Sequence, residues 1–338
     1  MPGSTTVGVF TTVSNTSNSS SLCHGENQHV ALTFFLCLVF FVGFVLNIFS
    51  LWVFWCRFPC WTSGTNLQFH LALSDTIATP VTPMMAVYFA LGNDWPFGPF
   101  LCRVKIVLLM IHFYGSTIFL TLISIHRYAS VVHYNRSCCI KHKPFVRKLS
   151  ACVWVLLVIQ ALIYAILLPP SKERGTGQCL SIYQKGLTDS YFIINFILFI
   201  FGFLLPFSVS ATCYGFLANK LTDLNSSTAK GLKVKQKSQR MIGICLLIFG
   251  VCFLPLNVLR TLGVVFKKFY PLKCRALRQI ETAYYSSWVL AGVNGCLDPV
   301  LYCFGSQNFR DAFQSLRIEK TDAPNRLTKS ESEVTATK

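Results

Sequence analysis

Seven stretches of the chain are uncharged or nearly so over about twenty residues, the length a helix needs to cross a bilayer core. They run from Val30 to Trp55, Asn66 to Phe89, Ile106 to Ile125, Leu149 to Pro169, Tyr191 to Asn219, Met241 to Leu259 and Thr282 to Gln307. Inside them only Asp75 and Asp298 carry charge, and the segments between them are short and polar. The pattern predicts an all-α membrane protein, a seven-transmembrane helix bundle over residues 30–303. Beyond it, Phe304, Phe309, Phe313 and Leu316 fall on one helical face, which predicts a short amphipathic helix over 304–318 lying on the cytoplasmic membrane surface. Residues 319–338 read as a disordered cytoplasmic tail, and 1–29 as a polar segment before the first span. A hydrophobic share of 53% and a mean hydropathy of +0.51 fit a chain that is mostly embedded in lipid.

The basic residues orient the bundle. Eighteen of the thirty Lys and Arg fall at Arg57, between Arg136 and Lys148, between Lys220 and Arg240, and in the tail, while residues 1–29 hold none. The positive-inside rule therefore places the amino terminus outside, in an expected multi-pass plasma-membrane topology. That segment lacks a basic region followed by an apolar one, so no cleaved signal peptide is expected. Its sequons at Asn15 and Asn18 are expected glycosylation sites, whereas those at Asn135 and Asn225 face the cytoplasm and stay bare. Of fifteen cysteines, Cys23, Cys102, Cys179 and Cys274 fall outside, an even number in the oxidising compartment. Four cysteines allow three connectivities; Cys102 with Cys179 is one natural pair, leaving Cys23 with Cys274. The other eleven read as apolar or reduced thiols, with Cys138 and Cys139 open to lipid attachment.

Enzyme and transporter chemistry find little support in the spans. No His-Glu-x-x-His or Gly-x-Ser-x-Gly stretch occurs, and no polar path crosses the bundle as a transporter needs. What the spans do carry is a set of motifs. Asn47 lies in the first, Leu71-Ala72-Leu73-Ser74-Asp75 in the second, and Trp95-Pro96-Phe97-Gly98 before Cys102. His126-Arg127-Tyr128 ends the third, Trp154 lies in the fourth, and Pro206 and Tyr214 lie in the fifth. Phe249 to Pro255 marks the sixth and Asp298-Pro299-Val300-Leu301-Tyr302 the seventh. Over residues 30 to 318 this resembles the rhodopsin-like (class A) G-protein-coupled receptors.

The resemblance implies an extracellular small-molecule agonist, a heterotrimeric G protein inside, and an arrestin and receptor kinase acting on Thr321, Thr328, Ser330, Ser332, Thr335 and Thr337. It implies coupling and switching roles for His126, Arg127, Tyr128, Tyr214, Phe249, Phe253 and Tyr302. Membrane lipid is a further expected partner; a nucleic acid polymer is not. Asp75, Ser116, Asn294 and Asp298 could form a polar cluster able to hold a sodium ion, with a metal-free hydrogen-bond network as the alternative. No other cofactor or metal is expected.

Three positions depart from the family's usual pattern: His126 replaces an acidic residue, Phe253 a Trp, and Asp298 an Asn. The last two, with Cys23 and Cys274, resemble the branch of purinergic nucleotide, cysteinyl-leukotriene, lysophospholipid and succinate receptors. Residues 1–29 offer no basic cleavage site for a protease-activated receptor, and the seventh span has no Lys for a retinal Schiff base. Basic residues exceed acidic ones at the outer mouth, which concentrates anions. Arg260, a little over a turn beyond Pro255, is the expected charge contact, with Asn257, Lys105, Tyr88, Tyr114, Tyr284 and Trp288 around it. Nucleotide receptors of the branch carry His where this chain has Asn257, and Arg where it has Ile106 and Trp288. An anion with an apolar body therefore competes with a nucleotide, and a decoy receptor of the same fold is the functional alternative.

Overall fold

The computed structural model describes residues 30–92, 94–132, 138–167, 171–173, 176–179, 188–223, 236, 240–241, 243–305 and 309–311. Its helices are α1 Val30–Cys56, α2 Ser63–Ile77, α3 Val81–Ala90, α4 Gly98–Val132, α5 Lys143–Leu167, α6 Thr188–Ile197, α7 Leu205–Asp223, α8 Leu254–Phe269 and α9 Cys274–Gly305. Strands β1 Ser171–Glu173 and β2 Thr176–Gln178 add a two-stranded antiparallel hairpin to the loop after α5, which the sequence reading did not anticipate. Five helical runs are long and apolar enough to cross a membrane: Val30–Cys56, Gly98–Val132, Lys143–Leu167, Tyr191–Asn219 and Gly243–Phe269. The other two passes, α2 with α3 and then α9, are less apolar because they carry polar interior residues such as Ser74, Asp75, Asn294 and Asp298.

Proline sets the irregularities. Pro80 has no N–H to give the carbonyl four residues back, so the second pass is two helices rather than one. Between them Thr79 N bonds Thr76 O at 3.2 Å and Val81 N bonds Ala78 O at 3.0 Å, a tight turn. Ahead of Pro206 and Pro255 the fifth and sixth passes widen to π-helical turns over Leu198–Leu204 and Ile248–Phe253, a local form that often marks working positions. The third pass also exceeds its apolar window: α4 starts at Gly98 and runs past Arg127 to Val132. Arg127 therefore ends the apolar run but not the helix.

The helix α4 is the hub, contacting α2, α5 and α7, while α1 packs on α9 and α8 on α9. Buried polar bonds fix these contacts, since an unpaired polar group there costs about 1 to 3 kcal/mol. Asn47 Nδ2 donates to Gly43 O at 2.9 Å and to Gly295 O at 2.7 Å, joining the first and seventh passes. Trp154 Nε1 donates to His70 Nδ1 at 3.1 Å, and His70 stacks on Phe119 with centroids 5.5 Å apart. Ser150 Oγ donates to Asn66 Oδ1 at 3.3 Å, a second tie between α5 and α2.

Gly202 lies inside the wide turn of the fifth pass. A Cβ there would overlap the ring of Tyr114, so the wide turn and the missing side chain together admit that ring from α4. Gly202→Ala is expected to lower stability by about 1 to 3 kcal/mol through overpacking, read as a lower Tm of the purified protein. Tyr114→Ala in the same chain should recover part of the loss; an unchanged Tm for Gly202→Ala alone would contradict this packing.

Candidate functional site

A cavity opens at the end of the bundle that carries the Cys102–Cys179 disulfide. The disulfide has a Cα separation of 5.7 Å and holds the loop after β2 onto the first turns of α4. Cys179 thereby becomes part of the cavity wall, with Met85, Tyr88, Lys105, Ile106, Phe113, Tyr164, Tyr191, Leu256, Arg260, Tyr284, Tyr285 and Trp288 among the other lining residues.

The two cations of this wall are held differently. Lys105 is buried, donates from Nζ to Cys179 O at 3.0 Å, and lies 4.7 Å from the Trp95 ring centroid and 5.7 Å from that of Tyr88. Trp95 is itself fixed by an Nε1 bond to Gly98 O at 2.9 Å. Cation–π contacts and a backbone acceptor thus occupy the ammonium, and Lys105 fastens the loop as well as facing the cavity.

Arg260 is less satisfied. Its Nη2 donates to Asn257 Oδ1 at 2.9 Å, and its guanidinium carbon lies 6.0 Å from the Tyr114 ring centroid. Tyr114, Tyr284, Tyr164 and Tyr191 surround it closely enough to interact electrostatically. Its Nε is buried without a hydrogen-bond partner, and among the described residues no carboxylate pairs with it. A guanidinium stays charged at any physiological pH and offers five donors, so this arrangement leaves donor capacity facing the cavity. Asn257 passes the contact down the helix, donating from Nδ2 to Phe253 O at 2.9 Å. Thr261 Oγ1 donates to Asn257 O at 2.8 Å and accepts from Asn195 Nδ2 at 3.2 Å, tying α8 to α6.

Of the residues that the sequence singles out for ligand contact, Arg260, Lys105, Tyr88, Tyr284 and Trp288 line the cavity. Tyr114 and Asn257 stand behind Arg260 as its support. Tyr164 and Tyr191, from α5 and α6, were not foreseen; their signal was a polar-tipped aromatic near each span's disulfide end, whose direction needs the helix phase. Lys268 lies 3.3 Å from Asp189 and 4.2 Å from the Phe192 centroid, so it joins α8 to α6 at the rim.

Below the cavity, Ser116 Oγ donates to Asp75 Oδ1, Asn294 Nδ2 approaches the same oxygen at 3.4 Å, and Ser74 Oγ lies 3.3 Å from Ser116 Oγ. Asp75, Ser116, Asn294 and Asp298 are all buried. Asp75 Oδ2, Asn294 Oδ1 and both carboxylate oxygens of Asp298 have no hydrogen-bond partner. This oxygen set suits a hard cation such as sodium. His112 joins the cluster with Nδ1 3.5 Å from Asp75 Oδ1, a neighbour the sequence reading left out although it lies one turn from Ser116.

At the far end, Arg127 lies within electrostatic reach of Tyr214 and Cys245, and Ser124 Oγ donates to Tyr214 Oη at 2.7 Å. His126 faces α2 instead, with Nε2 3.0 Å from Ser63 Oγ and its ring against Gly64. Tyr128 packs on Phe216 with centroids 6.2 Å apart. Tyr302 turns away from Tyr214, its ring 5.3 Å from Phe54 and 5.8 Å from Phe309, its hydroxyl buried without a partner. Phe249 contacts Phe253 and Phe207 at 6.2 and 5.8 Å, so the wide turn of the sixth pass is lined with rings.

The remaining expectations fall mostly outside the described residues. Cys274 is disulfide-bonded, while its expected partner Cys23 and the sequons at Asn15 and Asn18 are not described. Of the expected surface helix 304–318, residues 304–305 and 309–311 are described and helical; the tail 319–338 is not described.

The bundle, its disulfide-held cavity and the partly buried Arg127 at the opposite end define a receptor fold, and comparison with known proteins agrees. The 7 transmembrane receptor (rhodopsin family) model matches residues 46–302. This chain belongs to that family, as a G-protein-coupled receptor of the purinergic branch. It is 34% identical over 283 residues to the P2Y purinoceptor 2 of Rattus norvegicus, covering 83% of this chain and 75% of that protein. It is 31% identical over 296 residues to the P2Y purinoceptor 4 of Mus musculus, covering 86% and 80%. It is 30% identical over 330 residues to the P2Y purinoceptor 1 of Meleagris gallopavo, covering 94% and 88%. The chain is accordingly a multi-pass plasma-membrane signalling receptor and not an enzyme.

His126→Asp puts a carboxylate beside Arg127 in place of an imidazole bonded to Ser63, and a charge-assisted pair there holds Arg127 more firmly. Basal G-protein activation should fall relative to the parent at matched surface expression. Equal or higher basal signalling would show that Arg127 is not restrained through this position.

Proposed function

We propose that this receptor binds a small extracellular organic anion in the cavity beside the Cys102–Cys179 disulfide and that Arg260 takes its acidic group. The observation that carries the reading is the partly buried guanidinium, its Nε without a hydrogen-bond partner and, among the described residues, no carboxylate paired with it. The amino terminus and the cavity then lie outside the cell, where the Cys102–Cys179 disulfide is kept oxidised, and Arg127 faces the cytoplasm and the G protein. The relatives' names point to a nucleotide as the anion. For that ligand Arg260 and the tyrosine hydroxyls would meet phosphate, and the rings of Tyr284, Tyr285 and Trp288 would meet the base.

Agonist binding would act on the sixth pass. Arg260 and Asn257 sit on α8, just beyond Pro255 and the wide turn that holds Phe249 and Phe253. An anion that draws Arg260 toward α4 or α9 favours one position of this helix over another, a population shift driven by differential affinity. The oxygen cluster around Asp75 would hold sodium in the resting state, with Ser116, Asn294 and Asp298 as its other ligands. Replacing sodium by choline should then lower the Tm of the agonist-free protein, and Asp75→Asn should abolish the difference. Equal Tm values in the two salts would remove the ion from this account.

Loss of a charge-assisted contact in a desolvated pocket costs about 2 to 5 kcal/mol, or roughly thirtyfold or more in potency. Dose–response curves for the agonist identified by screening nucleotides, dicarboxylates, leukotrienes and lysophospholipids should show that loss for Arg260→Ala and a smaller one for Arg260→Lys. Unchanged potency in Arg260→Ala would shift the anion contact to Lys105 and the Cys179 loop.

A further inference from the structure

At the Arg127 end of the bundle, the fourth pass carries charge on the side that faces lipid. Its helix α5 turns Val146, Ser150, Val153, Leu157 and Ala161 inward and leaves Val155, Leu156, Ile159, Ile163 and Ile166 exposed on the opposite side. Steps of three and four residues carry this outward stripe back from Ile159 through Val155, Cys152 and Lys148 to Phe145, all of them exposed. Lys143 and Arg147, one turn apart, stand beside it and are exposed as well. Two hydrogen bonds fix which end this is: Ser150 of α5 reaches Asn66 of α2, and Ser63, at the start of α2, reaches His126.

The described part of the chain does not balance these cations. No Asp or Glu occurs between Asp94 and Glu173, and among the described residues Lys143, Arg147 and Lys148 form no ion pair. They also sit at the positive end of the helix macrodipole, where a cation is repelled and an anion attracted. Lys148, on the outward stripe, has to lift its ammonium out of the acyl region into the headgroups. Phe145 lies on the same stripe, outside the apolar run that starts at Leu149, and 44% of it is exposed. A ring among cations at that level fits the membrane interface, with the ring toward acyl chains and the charges toward phosphate.

We infer that Lys143, Phe145, Arg147 and Lys148 form a docking surface for the polyphosphorylated headgroup of an inositol lipid in the cytoplasmic leaflet. One headgroup with several phosphate charges meets all three cations at once, whereas lipids of single net charge would have to converge on one turn of helix. The inference is independent of Arg260 and takes from the proposed function only the side of the membrane.

The test uses the purified full chain in lipid nanodiscs of phosphatidylcholine alone, with phosphatidylinositol bisphosphate, or with phosphatidylserine matched in total charge. The inositol lipid should raise the Tm and phosphatidylserine should do so far less. Each cation near an anionic surface contributes about fivefold in affinity. Lys148→Gln should therefore raise the lipid fraction needed for half the Tm shift by about fivefold, and Lys143→Gln, Arg147→Gln and Lys148→Gln together by roughly a hundredfold. Arg147→Lys should keep most of the effect, and all of these variants should match the parent Tm in phosphatidylcholine alone. Equal shifts with the two anionic lipids, or an equal loss from Lys273→Gln, Arg275→Gln and Arg278→Gln at the other end, would reveal diffuse attraction and overturn the inference. Soluble inositol trisphosphate reproducing the whole shift would reject a lipid as the source. Lost G-protein activation in phosphatidylcholine discs, with the lipid shift intact, would assign these cations to the G protein instead. Nanodiscs carry the lipid in both leaflets, so their result does not depend on orientation. Staining of an amino-terminal epitope on intact cells tests that separately, and an epitope found inside would overturn the choice of the cytoplasmic leaflet.

Discussion

A guanidinium cannot shed its charge to suit a partly buried site, so the desolvation of Arg260 must be met by groups brought to it. The fold brings partial charges only. Asn257 Oδ1 accepts one hydrogen bond, and four tyrosines from α4, α5, α6 and α9 stand around it. No described carboxylate supplies the counter-charge. A charge left without a full partner in an apolar bundle is costly, and a ligand that supplied the counter-charge would recover part of that cost. On the proposed reading, the affinity for an anion is set partly by the lack, among the described residues, of an internal partner.

The same residue is mechanically well connected. Arg260, Asn257 and Phe253 form a chain of hydrogen bonds down one face of the sixth pass, ending at the wide turn ahead of Pro255. Phe249 and Phe253 there touch each other, and Phe249 touches Phe207 of the fifth pass. At the far end Tyr214 and Cys245, one from each of these passes, lie beside Arg127. Tyr302, by contrast, is held by Phe54 and Phe309, away from Tyr214. In this arrangement the seventh pass is tied to the first, so any joint action of Tyr302 with Arg127 requires Tyr302 to leave its ring contacts.

How much of this was legible in the sequence depends on the range of the interaction. Span number and approximate limits follow from hydropathy, because crossing lipid is a constraint each segment satisfies alone. The break at Pro80 is equally local, but it lies inside the apolar run from Asn66 to Phe89 and does not interrupt its hydropathy. Arg260 and the Asp75 cluster were legible because charge in a span is rare and needs a reason. His112 was not, since a neutral imidazole in an apolar run does not announce that it faces Asp75. Lys105 was read as a cation at the mouth, and only the fold shows its ammonium committed to Cys179 O, Trp95 and Tyr88. Gly202 could be interpreted only with the Tyr114 ring in view, a contact between residues distant in the chain.

The central claim is that Arg260 is a counter-charge site kept incomplete for a ligand, and its most direct test is the thermal stability of agonist-free receptor with Arg260→Met. Methionine keeps much of the side-chain length and removes the charge, so the ligand-free protein should become more stable, as when other poorly compensated buried charges are replaced by apolar groups. A rise in Tm together with lost anion binding is the predicted result. A fall in Tm would mean that the guanidinium serves the fold, through Asn257 and the tyrosines around it, and would contradict the account.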